Sequence, residues 1–201
     1  MTVTPERFAQ GLTYEAYKAR MTRNQARFEA NERAVEFDPA DLTFFKGLPH
    51  PLHVLVLAED WCGDVIDNLP ILGRLAAESG KLDVRVFPRD QNPDLMDGYL
   101  KEGQFRSIPV FVFFDQDFRE LGHFIERPES VTARRAHLRQ DLFARHPEFG
   151  SSDTPVDQLS EDARVTLMQE MTRWRDEGKA EDNRDVVRTM RDIAERVPAG
   201  G

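Results

Sequence analysis

Apolar residues recur along this chain with two periods, and the change from one to the other marks out its elements. Tyr14, Tyr17, Met21 and Phe28 fall at helical spacing, so the stretch from about Pro5 to Glu36 reads as one or two amphipathic helices. Pro39, Gly47, Pro49 and Pro51 break that pattern and predict a loop into the first clear strand, Leu52 to Ala58. Past Cys62 the period lengthens again. Val65, Ile66, Leu69, Leu72, Leu75 and Ala76 line one face of a helix that stops near Ser79-Gly80. Leu82, Val84 and Val86 alternate with polar residues up to Phe87-Pro88, the mark of a strand with one buried face. Asp90-Gln91-Asn92-Pro93 ends it and starts a short helix through Tyr99-Leu100. The most apolar segment, Ile108 to Phe114, reads as a central strand that turns at Asp115-Gln116-Asp117 into a hairpin partner, Leu121 to Ile125. Val131, Leu138 and Leu142 support a helix from Glu129 to Arg145, and Gly150 to Pro155 reads as a linker. Two further helices follow, separated near Gly178: one carries Leu167, Met171 and Trp174, the other Val186, Met190, Ile193 and Val197. There is no internal repeat and no low-complexity tract.

At 201 residues, 40% hydrophobic and 31% charged, the chain can bury one sizeable core. The expectation is a single domain over 1–201, with a core at about 52–145, a helical N-terminal extension at 1–48 and a helical C-terminal extension at 155–198. A net charge of -9 and a pI near 5.1 speak against nucleic-acid binding, which needs clustered Lys and Arg. No secretory signal and no membrane-spanning run is visible, so a cytoplasmic location and no membrane contact are expected. His50, His53, His123, His137 and His146 are scattered, and none forms a local zinc motif with Cys62, so no metal is expected. No phosphate-cradling glycine loop occurs. Glu59-Asp60 and Arg134-Arg135 read as solvated surface charges.

The residues that carry chemistry stand where strand gives way to helix. Trp61-Cys62-Gly63-Asp64-Val65 follows the strand Leu52 to Ala58, and Cys62 is the single cysteine. A dithiol redox motif, C-x-x-C, would place its second sulfur at Val65. With one cysteine no internal disulfide can form, which suits a reducing compartment.

Trp61-Cys62-Gly63, Pro70, Asp90-Gln91-Asn92-Pro93 and Arg106-Ser107-Ile108-Pro109 together resemble the thioredoxin family, in order and in spacing, over roughly Leu52 to Arg145. The resemblance implies an α/β fold, a three-layer α/β/α arrangement around a central mixed sheet, here with helical extensions at both ends. It also implies that the Trp-Cys-Gly stretch opens a helix kinked by Pro70, and that the Ile108-Pro109 bond is cis and lies beside Cys62.

Each feature has its own physical reason. A sulfur at a helix N-terminus gains from unpaired amides and the positive end of the helix dipole. Pro70 removes a backbone donor and bends its helix. A cis proline ahead of a strand leaves backbone groups open to an extended chain. Three departures from the family pattern bear on activity. Val65 replaces the resolving cysteine, so a mixed disulfide at Cys62 needs an outside thiol such as glutathione for release. Asp64 replaces the usual proline, and reads as a first-turn helix acid. Val56 stands where dithiol members keep a buried acid. The helix terminus favours the thiolate by roughly 0.3–1 kcal/mol and Asp64 opposes it by an amount on the order of 1 kcal/mol, so an ordinary thiol is expected.

Two functions follow from these residues. The first is a monothiol thiol-disulfide oxidoreductase with Cys62 as catalytic residue and Trp61, Gly63, Asp64, Val65, Ile108 and Pro109 shaping the substrate groove. Its substrate would be a protein disulfide or a glutathionylated protein, with glutathione as co-substrate and no bound cofactor. The alternative is a non-catalytic module that holds a peptide or partner protein in the same groove. Cluster binding in the manner of monothiol glutaredoxins ranks third, because their motif keeps a serine where Val65 stands.

Overall fold

A computed structural model of the chain describes residues 3–197. Those residues form two compact units, one of 3–128 with 186–197 and one of Glu129–Asp185.

The first unit is built on a five-stranded sheet of β1 (Leu12–Thr13), β2 (Leu52–Ala58), β3 (Leu82–Pro88), β4 (Val110–Phe114) and β5 (Glu120–Ile125), in the order β1-β3-β2-β4-β5. β2 runs parallel to β3 and antiparallel to β4, with Val54 beside both Val84 and Phe113. β2 and β4 are apolar almost throughout because both of their faces are buried, which abolishes the alternation of a one-sided strand. β3 keeps its alternation and β5, at the sheet edge, is only partly covered. β4 and β5 form the expected hairpin, with a register shift at Phe113/Phe114.

The N-terminal region is more divided than its period suggests. In place of one or two helices, α1 (Pro5–Ala9), α2 (Tyr14–Arg20) and α3 (Gln25–Arg33) are separated by β1 and by Asn24, whose φ of 57° is left-handed. Thr13 caps α2 through its side chain and so ends any helix running in from α1. Gly11 explains the other break. A Cβ there would lie 2.6 Å from the Phe87 ring, so the backbone passes too close to β3 for any side chain. The expected loop at Pro39–Pro51 instead opens with α4 (Pro39–Lys46), because Pro39 takes the first helical turn and Asp38 accepts from the Ala40 amide. α5 (Gly63–Ser79) carries Pro70 inside it and ends at Gly80 with φ +65°. α6 (Pro93–Met96) is shorter than expected, and tight turns take over before Tyr99.

The second unit comprises α7 (Glu129–Arg145), α8 (Glu161–Glu177) and the first part of α9 (Lys179–Ala194), whose residues from Val186 belong to the first unit. Leu142, Phe143, Ala163, Leu167 and Trp174 give it a small core of its own. Arg134 and Arg135 are not solvated surface charges. Arg134 reaches Asp182 at 2.6 Å and Asp185 at 3.0 Å, and Arg135 reaches Asp182 at 2.9 Å. Asp182 is buried, and a buried carboxylate needs such pairing.

Candidate functional site

β2 ends at Ala58, the chain turns through Glu59, Asp60 and Trp61, and Cys62 becomes the N-cap of α5 with extended φ and ψ of -83° and 123°. Its carbonyl accepts the first helical bond from Ile66 at 3.1 Å. The thiol is half-buried and donates to the Ile108 carbonyl at 3.4 Å. The Ile108-Pro109 bond is cis. That one contact joins the two halves of the predicted site, the junction of β2 with α5 and the loop ahead of β4. Trp61 stands 44% exposed on the outer side, with the Arg89 guanidinium 5.0 Å from its ring centre. Gly63 opens the helix. Val65 is fully buried, and its backbone amide lies against the sulfur. Asp64 is buried in the first turn of α5 and forms an ion pair with Arg127.

The thiol's titration is decided by several opposed effects. Burial pushes the Cys62 thiol up, the Val65 amide pulls it down, the Asp64 carboxylate raises it, the Asp64 amide lowers it and the Glu126 carboxylate raises it. The outcome is a pKa above the ordinary thiol value. Helix terminus against Asp64 is the near-balance visible in the sequence. Burial beneath the Ile108 loop is what tips it.

Residues beyond the motif complete the site, and sequence reasoning missed them. Glu126, just past β5, has a left-handed φ of 63°; its amide donates to the Pro109 carbonyl at 2.7 Å, and its carbonyl accepts from Asn68 at 2.8 Å. Burial pushes the Glu126 carboxyl up, but Lys101 at 2.6 Å and Ser107 outweigh it and hold it below the usual range. Asn68 left a faint signal, an amide on α5 amid Val65, Ile66 and Leu69. Arg127 left none.

Glu59 and Asp60 are likewise not free surface charges. Glu59 accepts from the Asp90 amide at 3.0 Å. Asp60 accepts from the Thr22 amide at 2.7 Å, the Thr22 hydroxyl at 3.1 Å and the Arg23 amide at 3.0 Å. Burial alone would raise the Asp60 carboxyl, but the two amides and the hydroxyl hold it below the ordinary value. A depressed folded pKa contributes stability above the unfolded value near 3.9, and that contribution is lost as pH falls through the folded pKa. Asp60→Asn is therefore expected to cost about 1–2 kcal/mol at neutral pH, shrinking below about pH 4, by denaturant melts at both pH values. An equal loss at the two pH values would contradict this.

Tyr17, on α2, is buried, and its hydroxyl has no hydrogen-bond partner among the described residues. Burial raises its pKa, helped by Asp60, Glu59 and Cys62. Among the described residues no three His, Cys, Asp or Glu side chains gather as metal ligands. No helix of the described residues is long and apolar enough to cross a membrane.

With the sheet order and the Cys62–Pro109 geometry in view, comparison with known proteins bears on the family. A family model described as thioredoxin matches residues 11–139. The chain belongs to the thioredoxin family. No curated protein matches it. Among solved structures, this thioredoxin-family chain is similar to a protein of unknown function from Pseudomonas aeruginosa, with a TM-score of 0.68, 16% identity, and coverage of 97% of this chain and 98% of the other. It is also similar to an HIV epitope scaffold, with a TM-score of 0.63, 16% identity, and coverage of 94% and 96%. At such identity the likeness speaks for the thioredoxin-like α/β fold, with its mixed sheet, and for that alone. It extends over the helices at both ends. The family match begins at residue 11 and so takes in β1, α2, α3 and α4, well ahead of the motifs that carry the resemblance.

Proposed function

We propose that this thioredoxin-family protein is a monothiol thiol-disulfide oxidoreductase acting through Cys62. The observation that carries the reading is the placement of a half-buried, accessible sulfur at the mouth of α5, against the Ile108-Pro109 loop. The Cys62 thiolate attacks one sulfur of a protein disulfide or of a glutathionylated protein. A new sulfur–sulfur bond forms at Cys62, the old one breaks, and the leaving thiolate takes up a proton from solvent. An outside thiol, glutathione in the simplest case, then attacks the mixed disulfide and regenerates Cys62, because the chain holds no second cysteine. Trp61 and the backbone of Gly63 to Val65 border the groove, and Ile108 and Pro109 form its floor.

A second reading has an observation of its own. Burial and the bond to the Ile108 carbonyl both favour the neutral thiol, which suits a groove that binds a peptide without reacting. The two are separated by the pH dependence of Cys62 alkylation together with mass spectrometry after exposure to glutathione disulfide, with Cys62→Ser as control. The expected result is a thiolate titration above the reference value near 8.5, and a glutathione adduct that forms faster as pH rises and is reversed by added thiol. An adduct that fails to form at any pH would overturn the enzymatic reading in favour of the binding module.

A further inference from the structure

Asp64 and Arg127 come from distant parts of the chain and meet beside the sulfur. Asp64 lies in the first turn of α5, two residues after Cys62, and is 9% exposed. Arg127 follows β5 and pairs with it through a guanidinium nitrogen. The turn that delivers Arg127 is held by four hydrogen bonds. The Glu126 amide bonds to Pro109, the Glu126 carbonyl to Asn68 and the Glu126 carboxylate to Lys101, while the Arg127 amide donates to the Ile125 carbonyl at 2.8 Å. Asn68 belongs to α5 and Pro109 to the loop under Cys62, so the turn spans both walls of the site.

We propose that Arg127 is a positioning residue for Cys62: it draws the Asp64 charge away from the sulfur and, through the adjoining Glu126 whose amide holds the Pro109 carbonyl, ties the mouth of α5 to the Ile108-Pro109 loop. This deepens the exchange reading above and rests on it for its purpose, though not for its measurement. The groups that face the sulfur are of both signs. Asp64 stands on α5, Glu126 on the turn after β5 with Arg127 paired to Asp64, and the Tyr17 hydroxyl on α2, which in turn feels Glu59 and Asp60 of the β2–α5 junction. Lys101 answers Glu126 and Arg89 covers Trp61. Glu126 has a lysine, Asp60 has two amides, and Arg127 is the cation that meets the carboxylate nearest in sequence to the sulfur. A carboxylate that loses this cation in a half-buried site acts more strongly on a neighbouring thiolate, because water screens it poorly there.

The test is the pH profile of iodoacetamide alkylation of Cys62 in the full chain. Arg127→Gln is expected to move the midpoint upward by about one pH unit, a roughly tenfold slower alkylation at neutral pH. Asp64→Asn should move it downward, and the double variant should return it close to the wild-type value. Arg127→Lys keeps the charge and should keep the midpoint, and Arg127→Met, which keeps the apolar stem without the charge, should raise it as Arg127→Gln does and provides the test should Arg127→Gln fold poorly. A purely structural role predicts lower melting temperatures with an unmoved midpoint, and that result would overturn the proposal. An upward shift in Arg127→Gln that Asp64→Asn fails to reverse would overturn it too. Iodoacetamide reads the thiolate whether or not Cys62 exchanges with disulfides. Midpoints that move as expected in a protein forming no glutathione adduct would leave the role of Arg127 standing and remove the enzymatic reading; unmoved midpoints in an adduct-forming protein would do the reverse.

Discussion

Val65→Cys is expected to free one step of the proposed exchange, release of the mixed disulfide at Cys62, from its need for an outside thiol. The substitution restores a sulfur one helical turn after Cys62, at the position where the C-x-x-C pattern places its resolving cysteine. Release of the mixed disulfide then becomes intramolecular: the new thiol attacks the Cys62 sulfur at an effective concentration far above that of a dissolved one, an internal disulfide forms, the substrate thiolate leaves and takes a proton from solvent, and an outside thiol is needed only afterwards to reduce the internal disulfide. Adduct release at millimolar external thiol should speed up by about tenfold or more and lose its dependence on thiol concentration. Val65 is fully buried, so the smaller side chain leaves a small void that costs about 1 kcal/mol and is not expected to prevent folding. The check is stopped-flow or quenched mass spectrometry of the Cys62 adduct across a range of glutathione concentrations. Persistence of the adduct with unchanged thiol dependence would mean that the site does not support exchange chemistry of this kind.

The second large effect lies in the packing of α5 against the N-terminal helices. Gly73→Ala in an ordinary helix interior would stabilise by roughly 1 kcal/mol, since glycine is a poor helix former. Here a Cβ would stand 2.1 Å from the ring of Tyr14. That ring has little freedom to retreat. Tyr14 is 8% exposed, packs near Phe28 with ring centres 5.9 Å apart, and donates its hydroxyl to Glu32 at 2.7 Å. Glu32 is itself held by Lys18 at 3.1 Å. The steric term therefore outweighs the propensity gain, and a net loss of about 2 kcal/mol or more is expected in denaturant unfolding. In a Tyr14→Leu background the same substitution should cost much less or become stabilising, because the ring that opposes the methyl group is gone. Equal costs in the two backgrounds would show that Tyr14 is not what reserves this glycine.

Some parts of this protein were legible because local pattern and tertiary outcome coincide. β2 and β3 match their expected ends, since a buried apolar run and an alternating run each have one strand solution. α5 stops at Gly80 because a left-handed residue is needed there and glycine supplies it without strain. α7 likewise spans its expected range. In the N-terminal region the helical period is real but belongs to three short helices. What divides them is a contact, Gly11 against Phe87, and a two-residue strand pairing with β3, neither of which leaves a mark in the periodicity. α4 was missed for a different reason. Its proline reads as a breaker by pattern, although proline at a first helical turn next to a capping aspartate starts a helix instead.

The same division runs through the site. Sequence alone determined the family resemblance, the single sulfur at a strand-to-helix junction, the absence of a second cysteine at Val65 and the presence of a carboxylate at Asp64. These are matters of residue identity and short spacing. Only tertiary structure decided how that sulfur titrates, because burial beneath the Ile108 loop outweighs the local contest between the helix terminus and Asp64. It also decided that Asp64 meets Arg127, and that Asp60 fastens the segment after α2 to the site. Charge and hydrogen bonding act through space over a few ångströms, and residues 63 positions apart in the chain become neighbours only when the sheet is assembled.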